Sequence, residues 1–191
     1  MSEIMRLTRW VVYATLTAAV VIGFIVGQLV TVGHADELRL DGATIETAFA
    51  PGDAPPKLVA TAIDEARAEV RVMTYQLTNG RIINALRAAA GRGVDVKIVV
   101  DEATCEAKRF PPVAAVLKKA GVEITCDGKH PIHHNKVVIA DRSTVVTGSF
   151  NFSPSAERNA ENTNVLRHVP ALATLYLSVW AEHRAHAEAW R

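Results

Sequence analysis

Two periodicities alternate along this chain. Apolar residues at three-and-four spacing predict helices over Lys57–Glu69 (Leu58, Ala62, Ile63, Ala66), over Arg81–Ala90 (Ile82, Ile83, Leu86, Ala90), after Pro111-Pro112 as far as Ala120, and from Pro170 onward (Leu172, Leu175, Tyr176, Val179, Trp180). Short runs rich in β-branched residues predict strands between them, at Val70–Leu77, Val94–Val100, Val122–Thr125, Val137–Ala140, Thr144–Thr147 and around Thr163–Leu166. Thr44–Phe49 alternates weakly, as an edge strand does, and Pro51, Gly52, Pro55 and Pro56 follow it as a loop. Strands alternating with helices of ten or more residues predict an α/β sandwich, a sheet with helices on both faces. The sheet is expected to be mixed. Only Asp141-Arg142-Ser143 separates Val137–Ala140 from Thr144–Thr147, which is a hairpin turn and too short for a parallel crossover.

The first 35 residues obey neither period. Val11 to Val32 is almost wholly apolar or small, Arg6 and Arg9 precede it, and Asp36 and Glu37 follow it. Gly33-His34-Ala35 has the small residues of an export cleavage site, so residues 1–35 read as a signal peptide. At 1.5 Å per helical residue the apolar run is also about 33 Å long, enough to span a bilayer as an uncleaved anchor. Either reading exports residues 36–191, to the periplasm, to the medium or to a membrane tether through residues 11–32. In that exported part basic and acidic side chains balance, so overall charge gives no argument for a polyanionic partner and any attraction for phosphate has to be local. Its two cysteines, Cys105 and Cys126, are an even count in an oxidising compartment and are expected to pair.

The chemistry concentrates in His134-Asn135-Lys136, Asp141 and Gly148-Ser149-Phe150-Asn151. Side chains two apart on a strand share a face, which places His134 with Lys136 and, on the next strand, Ser149 with Asn151. One imidazole, one ammonium and two neutral hydrogen-bonding groups suit a bound anion with a reactive centre, a phosphate above all. The spacing, His-x-Lys, four residues, Asp, six residues, Gly-Ser-x-Asn, resembles the phospholipase D superfamily, and most closely its small bacterial endonucleases that carry a single such motif. The resemblance runs through roughly Ala43 to Trp190 and implies the same mixed α/β/α fold.

It also implies roles. The family attacks a phosphodiester with a histidine and hydrolyses the resulting phosphohistidine with water; here the nucleophile is His134. Lys136, Ser149 and Asn151 hold the phosphate oxygens. Glu161, or alternatively Glu157, orients the imidazole. Asp141 lies an odd number of residues from His134 and is expected to accept hydrogen bonds in the turn rather than to reach the phosphate. His133 faces away from His134 and reads as surface or sheet-edge polar. No cofactor is expected, and no metal. No carboxylate cluster suits Mg²⁺ or Ca²⁺, Asp101-Glu102 at a strand end reads as solvated or capping, and His130, His133 and His134 lack the paired cysteines of a zinc site.

Covalent histidine chemistry needs a general acid as well as a nucleophile, and the chain has one His-x-Lys. A homodimer sharing one site would supply the second histidine from the twin chain. The expected activity is a metal-independent endonuclease of low sequence specificity acting on DNA or RNA. The alternatives are a phospholipase D acting on lipid head groups and a catalytically silent binding module.

Overall fold

A computed structural model describes residues 37–191; the expected leader or anchor lies outside them. The elements run β1 (Thr44–Ala50), α1 (Ala54–Glu65), β2 (Glu69–Thr74), α2 (Gly80–Gly91), β3 (Asp95–Asp101), α3 (Glu102–Glu106), α4 (Phe110–Lys119), β4 (Glu123–Asp127), β5 (Lys136–Ala140), β6 (Thr144–Gly148), a 3-10 turn (Ala156–Arg158), β7 (Glu161–Arg167), α5 (Pro170–His186) and β8 (Glu188–Ala189). All eight strands join one sheet in the order β1-β7-β6-β5-β2-β3-β4-β8. β2, β3 and β4 are parallel, and every other pairing is antiparallel, so the sheet is mixed.

Both faces are covered. Val70, Val72, Val96, Ile98, Val138 and Val146 pack under Leu58, Val59 and Ile63 of α1, Ile82 and Leu86 of α2, and Phe110 and Leu117 of α4. The opposite face offers Met73, Val137, Ile139 and Val145 to Val169, Ala173, Tyr176 and Trp180, which begin and line α5. β5 is buried along its whole length, which is why it reads as an unbroken apolar run and not as an alternation.

Several boundaries move. α1 starts at Ala54 and takes Pro55 and Pro56 into its first turn, where a missing N–H costs nothing. It stops at Glu65, because the chain must turn through Arg67 and Ala68 to enter β2. β2 ends at Thr74 rather than Leu77; Leu77 makes only an isolated bridge to Phe152. α3 is an additional helix of five residues, capped by Asp101, whose side chain accepts from the Thr104 N–H. The two-residue β8 is also additional.

Candidate active site

β5 and β6 form a hairpin, and the site lies where β5 begins and β6 ends. His134 stands exposed just ahead of β5, its ring 5.0 Å from that of Tyr75 at the end of β2. The Tyr75 N–H donates to the Asn135 carbonyl at 2.9 Å, so β2 fixes the backbone beside the imidazole. Lys136, the first residue of β5, is buried; its Nζ donates to the His134 carbonyl at 2.6 Å and lies 5.8 Å from the Tyr75 ring centre. Burial pushes its pKa down from 10.5 to about 8, although the Glu161 carboxylate opposes this.

Gly148 closes β6 against β7. A Cβ there would lie 2.3 Å from the Asn162 carbonyl oxygen, which explains why the motif has glycine at this point. That carbonyl also accepts the N–H groups of Ser149 and Phe150, each at 3.1 Å. Ser149 and Asn162 clasp reciprocally: the Ser149 N–H donates to Asn162 Oδ1 at 2.9 Å, and Ser149 Oγ accepts the Asn162 N–H at 3.0 Å. Ser149 therefore fastens the segment that carries Asn151. The Asn151 Oδ1 is enclosed and meets no donor among the described residues.

The two glutamates separate clearly. Glu161 accepts from Asn159 Nδ2 at 3.1 Å and acts electrostatically on Lys136. Glu157 accepts from Asn79 Nδ2 at 2.6 Å, and Asn79 caps α2. Neither is hydrogen-bonded to His134. Asp141 is at the far end of β5. Its carboxylate accepts the N–H groups of Arg67 and Ala68, both at 2.8 Å, and of Glu69 at 3.0 Å. It serves the turn between α1 and β2, not its own hairpin turn.

His133 is not a surface residue. It is fully buried, its N–H donates to Asp101 Oδ2 at 2.8 Å, and its Nδ1 lies 3.0 Å from Asp127 Oδ2. Adjacent residues of an extended chain point to opposite faces, so His133 enters the packed side when His134 emerges. Burial, reinforced by the nearby His183, pushes the His133 pKa down despite the Asp127 carboxylate. Asp101 thus holds both α3 and the residue preceding the candidate nucleophile. Cys105 of α3 and Cys126 of β4 are joined by a disulfide. Tyr75, Asn162 and Asp127 support the site without any signal in the linear motif, because each comes from a different part of the chain, just after β2, in β7 and in β4.

The hairpin and the segment leading into it bring an imidazole and an amine to one end of a mixed, doubly covered sheet, and residues 59–182 match the family described as cardiolipin synthase, PLD-like domain. The chain belongs to the phospholipase D superfamily of phosphodiesterases. It is 37% identical over 153 residues to a protein of Rickettsia bellii named phospholipase D, a match covering 80% of this chain and 75% of that one. The structure of Nuc from Salmonella typhimurium, titled a phospholipase D family member, is 36% identical, covers 78% of this chain and 99% of its own, and superposes with a TM-score of 0.76. NucT from Helicobacter pylori, 20% identical with a TM-score of 0.69, shares the fold.

Proposed function

We propose that this chain is an exported endonuclease of low sequence specificity that acts through a phosphohistidine on His134 and needs no metal at the reacting phosphate. In the first step a ring nitrogen of His134 bonds to phosphorus and the bond to the leaving oxygen breaks, with a proton delivered to that oxygen. The oxygen of a water molecule then bonds to phosphorus as the phosphorus–nitrogen bond breaks, the water gives up a proton, and the imidazole is freed. Lys136 and Asn151 stabilise the charge that builds on the non-bridging oxygens, Ser149 holds Asn151 in place, and Glu161 offsets the loss of charge on Lys136.

The observation that carries the reading is the exposed His134 beside the buried Lys136, whose Nζ donates to the His134 carbonyl at 2.6 Å. Among the described residues, none is hydrogen-bonded to that imidazole, and none is identified as the acid for the leaving oxygen. We assign the acid to the His134 of a second copy across a two-fold axis, a homodimer with one shared site. Ile132, two residues away, is 54% exposed and would be covered by such a contact. Nucleic acid is favoured over lipid by a basic cleft of about 370 Å³, lined among others by Gln76, Ser153, Lys108, Arg109 and Arg158. A polynucleotide repeats its phosphates and can fill both positions, whereas a phospholipid presents one diester.

The second reading, a phospholipase D, is favoured by the name of the Rickettsia bellii relative. Supercoiled plasmid and phosphatidylcholine vesicles, each assayed with EDTA present, separate the two. Nicking of plasmid without head-group release supports the nuclease; the reverse result establishes the lipase, and inactivity on both favours a silent binding module.

A further inference from the structure

One group of side chains plays no part in the chemistry above. Asp127 ends β4, His130 lies in the loop after it, and His183 and His186 stand three apart on the last turns of α5, on one side of that helix. Each offers one donor atom, and the four donors all lie within 4.8 Å of one another. We propose that Asp127, His130, His183 and His186 form a structural site for a divalent transition metal of the zinc class.

The donor set is three imidazole nitrogens and one carboxylate oxygen, which suits Zn²⁺, Co²⁺ or Ni²⁺ and not the all-oxygen preference of Mg²⁺ or Ca²⁺. An ordinary hydrogen-bond network accounts for part of the group. His183 Nδ1 lies 2.8 Å from Asp127 Oδ2, in hydrogen-bonding alignment. His186 Nε2 meets the same carboxylate differently, 3.1 Å from Asp127 Oδ1, at ion-pair distance but outside hydrogen-bonding alignment. Two donors that close, and not aimed at each other, are how two ligands of one ion sit. The rings of His130 and His183, of His130 and His186, and of His183 and His186 meet edge to face with centroids 5.2, 5.7 and 5.5 Å apart. Such a convergence of imidazoles has no apolar purpose.

Tetrahedral zinc with bonds of about 2.0–2.1 Å places its donors about 3.4 Å apart. Closing the group to that size asks for movement of about an ångström, which the exposed His130 on its loop can supply. An outer shell is already in place, since Asp127 also accepts the Lys129 N–H at 3.0 Å and meets His133 Nδ1 at 3.0 Å. Four protein donors fill a tetrahedral ion and leave no open position, which is the mark of a structural site. The ion would pin the end of α5 to β4 and to the loop leading into His134, beside the disulfide at Cys126.

The test uses the untagged full-length chain in mild detergent, zinc content by mass spectrometry, and thermal melting after metal stripping. Wild type and His134→Ala are expected to retain about one zinc per chain. Added zinc should raise their melting temperature by roughly 5–10 °C at a hundredfold excess over the dissociation constant. His130→Ala with His186→Ala should lose both effects, and His130→Ala alone, a change at an exposed loop residue, should weaken retention. Plasmid cleavage at 25 °C should survive stripping, because the ion does not touch the reacting phosphate. No retained zinc and no melting shift in wild type would overturn the proposal, leaving a hydrogen-bond network only. Zinc that depends on His134 instead would overturn it as well.

Discussion

Lys136 is held at about pKa 8 by its burial, and this makes the ammonium the charge in the site that moderate alkali removes. Below that pH the amine is protonated and attracts phosphate; above it the attraction is lost. Plasmid kcat/KM, which reports the free enzyme, is expected to fall as pH rises through about 8. A bound phosphate favours the charged amine, so the corresponding limb of kcat should lie at higher pH. Coincident limbs in both profiles would remove Lys136 from phosphate binding. His134→Ala should abolish turnover on plasmid. His133→Ala should act differently, because it strips a buried partner from Asp127 and lowers stability while cleavage per folded molecule persists. A kinetic defect in His133→Ala equal to that of His134→Ala would exchange their roles.

The hairpin of β5 and β6 is the element on which the motif depends, and Gly148 is its tightest point. Gly148→Ala would drive a methyl group to 2.3 Å from the backbone of β7 and displace Ser149 to Asn151. Loss of most plasmid nicking is expected, with a near-native far-ultraviolet spectrum; full activity would mean that β6 and β7 can separate freely. Much of this hairpin is legible in one dimension. Val137 to Ala140 is apolar on both faces, Asp141-Arg142-Ser143 is a turn, and a fixed spacing brings His134, Lys136, Ser149 and Asn151 to one end. Less legible are contacts made by residues distant in sequence. The Asn162 clasp on Ser149 joins separate strands, and His133 looks like a surface neighbour of His134 until Asp127 and Asp101 are brought against it. α3 and β8 span five and two residues, too short for any periodicity to register. Pro55-Pro56 reads as loop because proline breaks helices everywhere except in the first turn, where these two lie.

At the scale of the whole molecule, two links lie far from the chemistry. The disulfide from Cys105 to Cys126 closes a separation of 21 residues, and its loss is expected to cost about 3 kcal/mol. Reduction should lower the melting temperature by roughly 6–12 °C; an unchanged melt would mean that packing alone holds α3 to β4. The proposed dimer has its own test in Ile132→Asp, which should yield a monomer by sedimentation and take activity with it. A fully active monomer would require the acid to come from the same subunit. The fastening at Asp141 also bears on the motif as a unit of length. Antiparallel β5 lies along β2. The Tyr75 N–H bonds to the Asn135 carbonyl at one end of β2, and Asp141 takes the backbone of Arg67, Ala68 and Glu69 at the other. Asn135, inside the motif's first triplet, and Asp141 at its far side therefore grip the backbone at the two ends of a single neighbouring strand, and the interval between them is a gauge cut to the six residues of β2. One residue inserted between Lys136 and Asp141 would turn the side chains beyond it to the wrong face, and only a matching insertion in β2 could restore the fit.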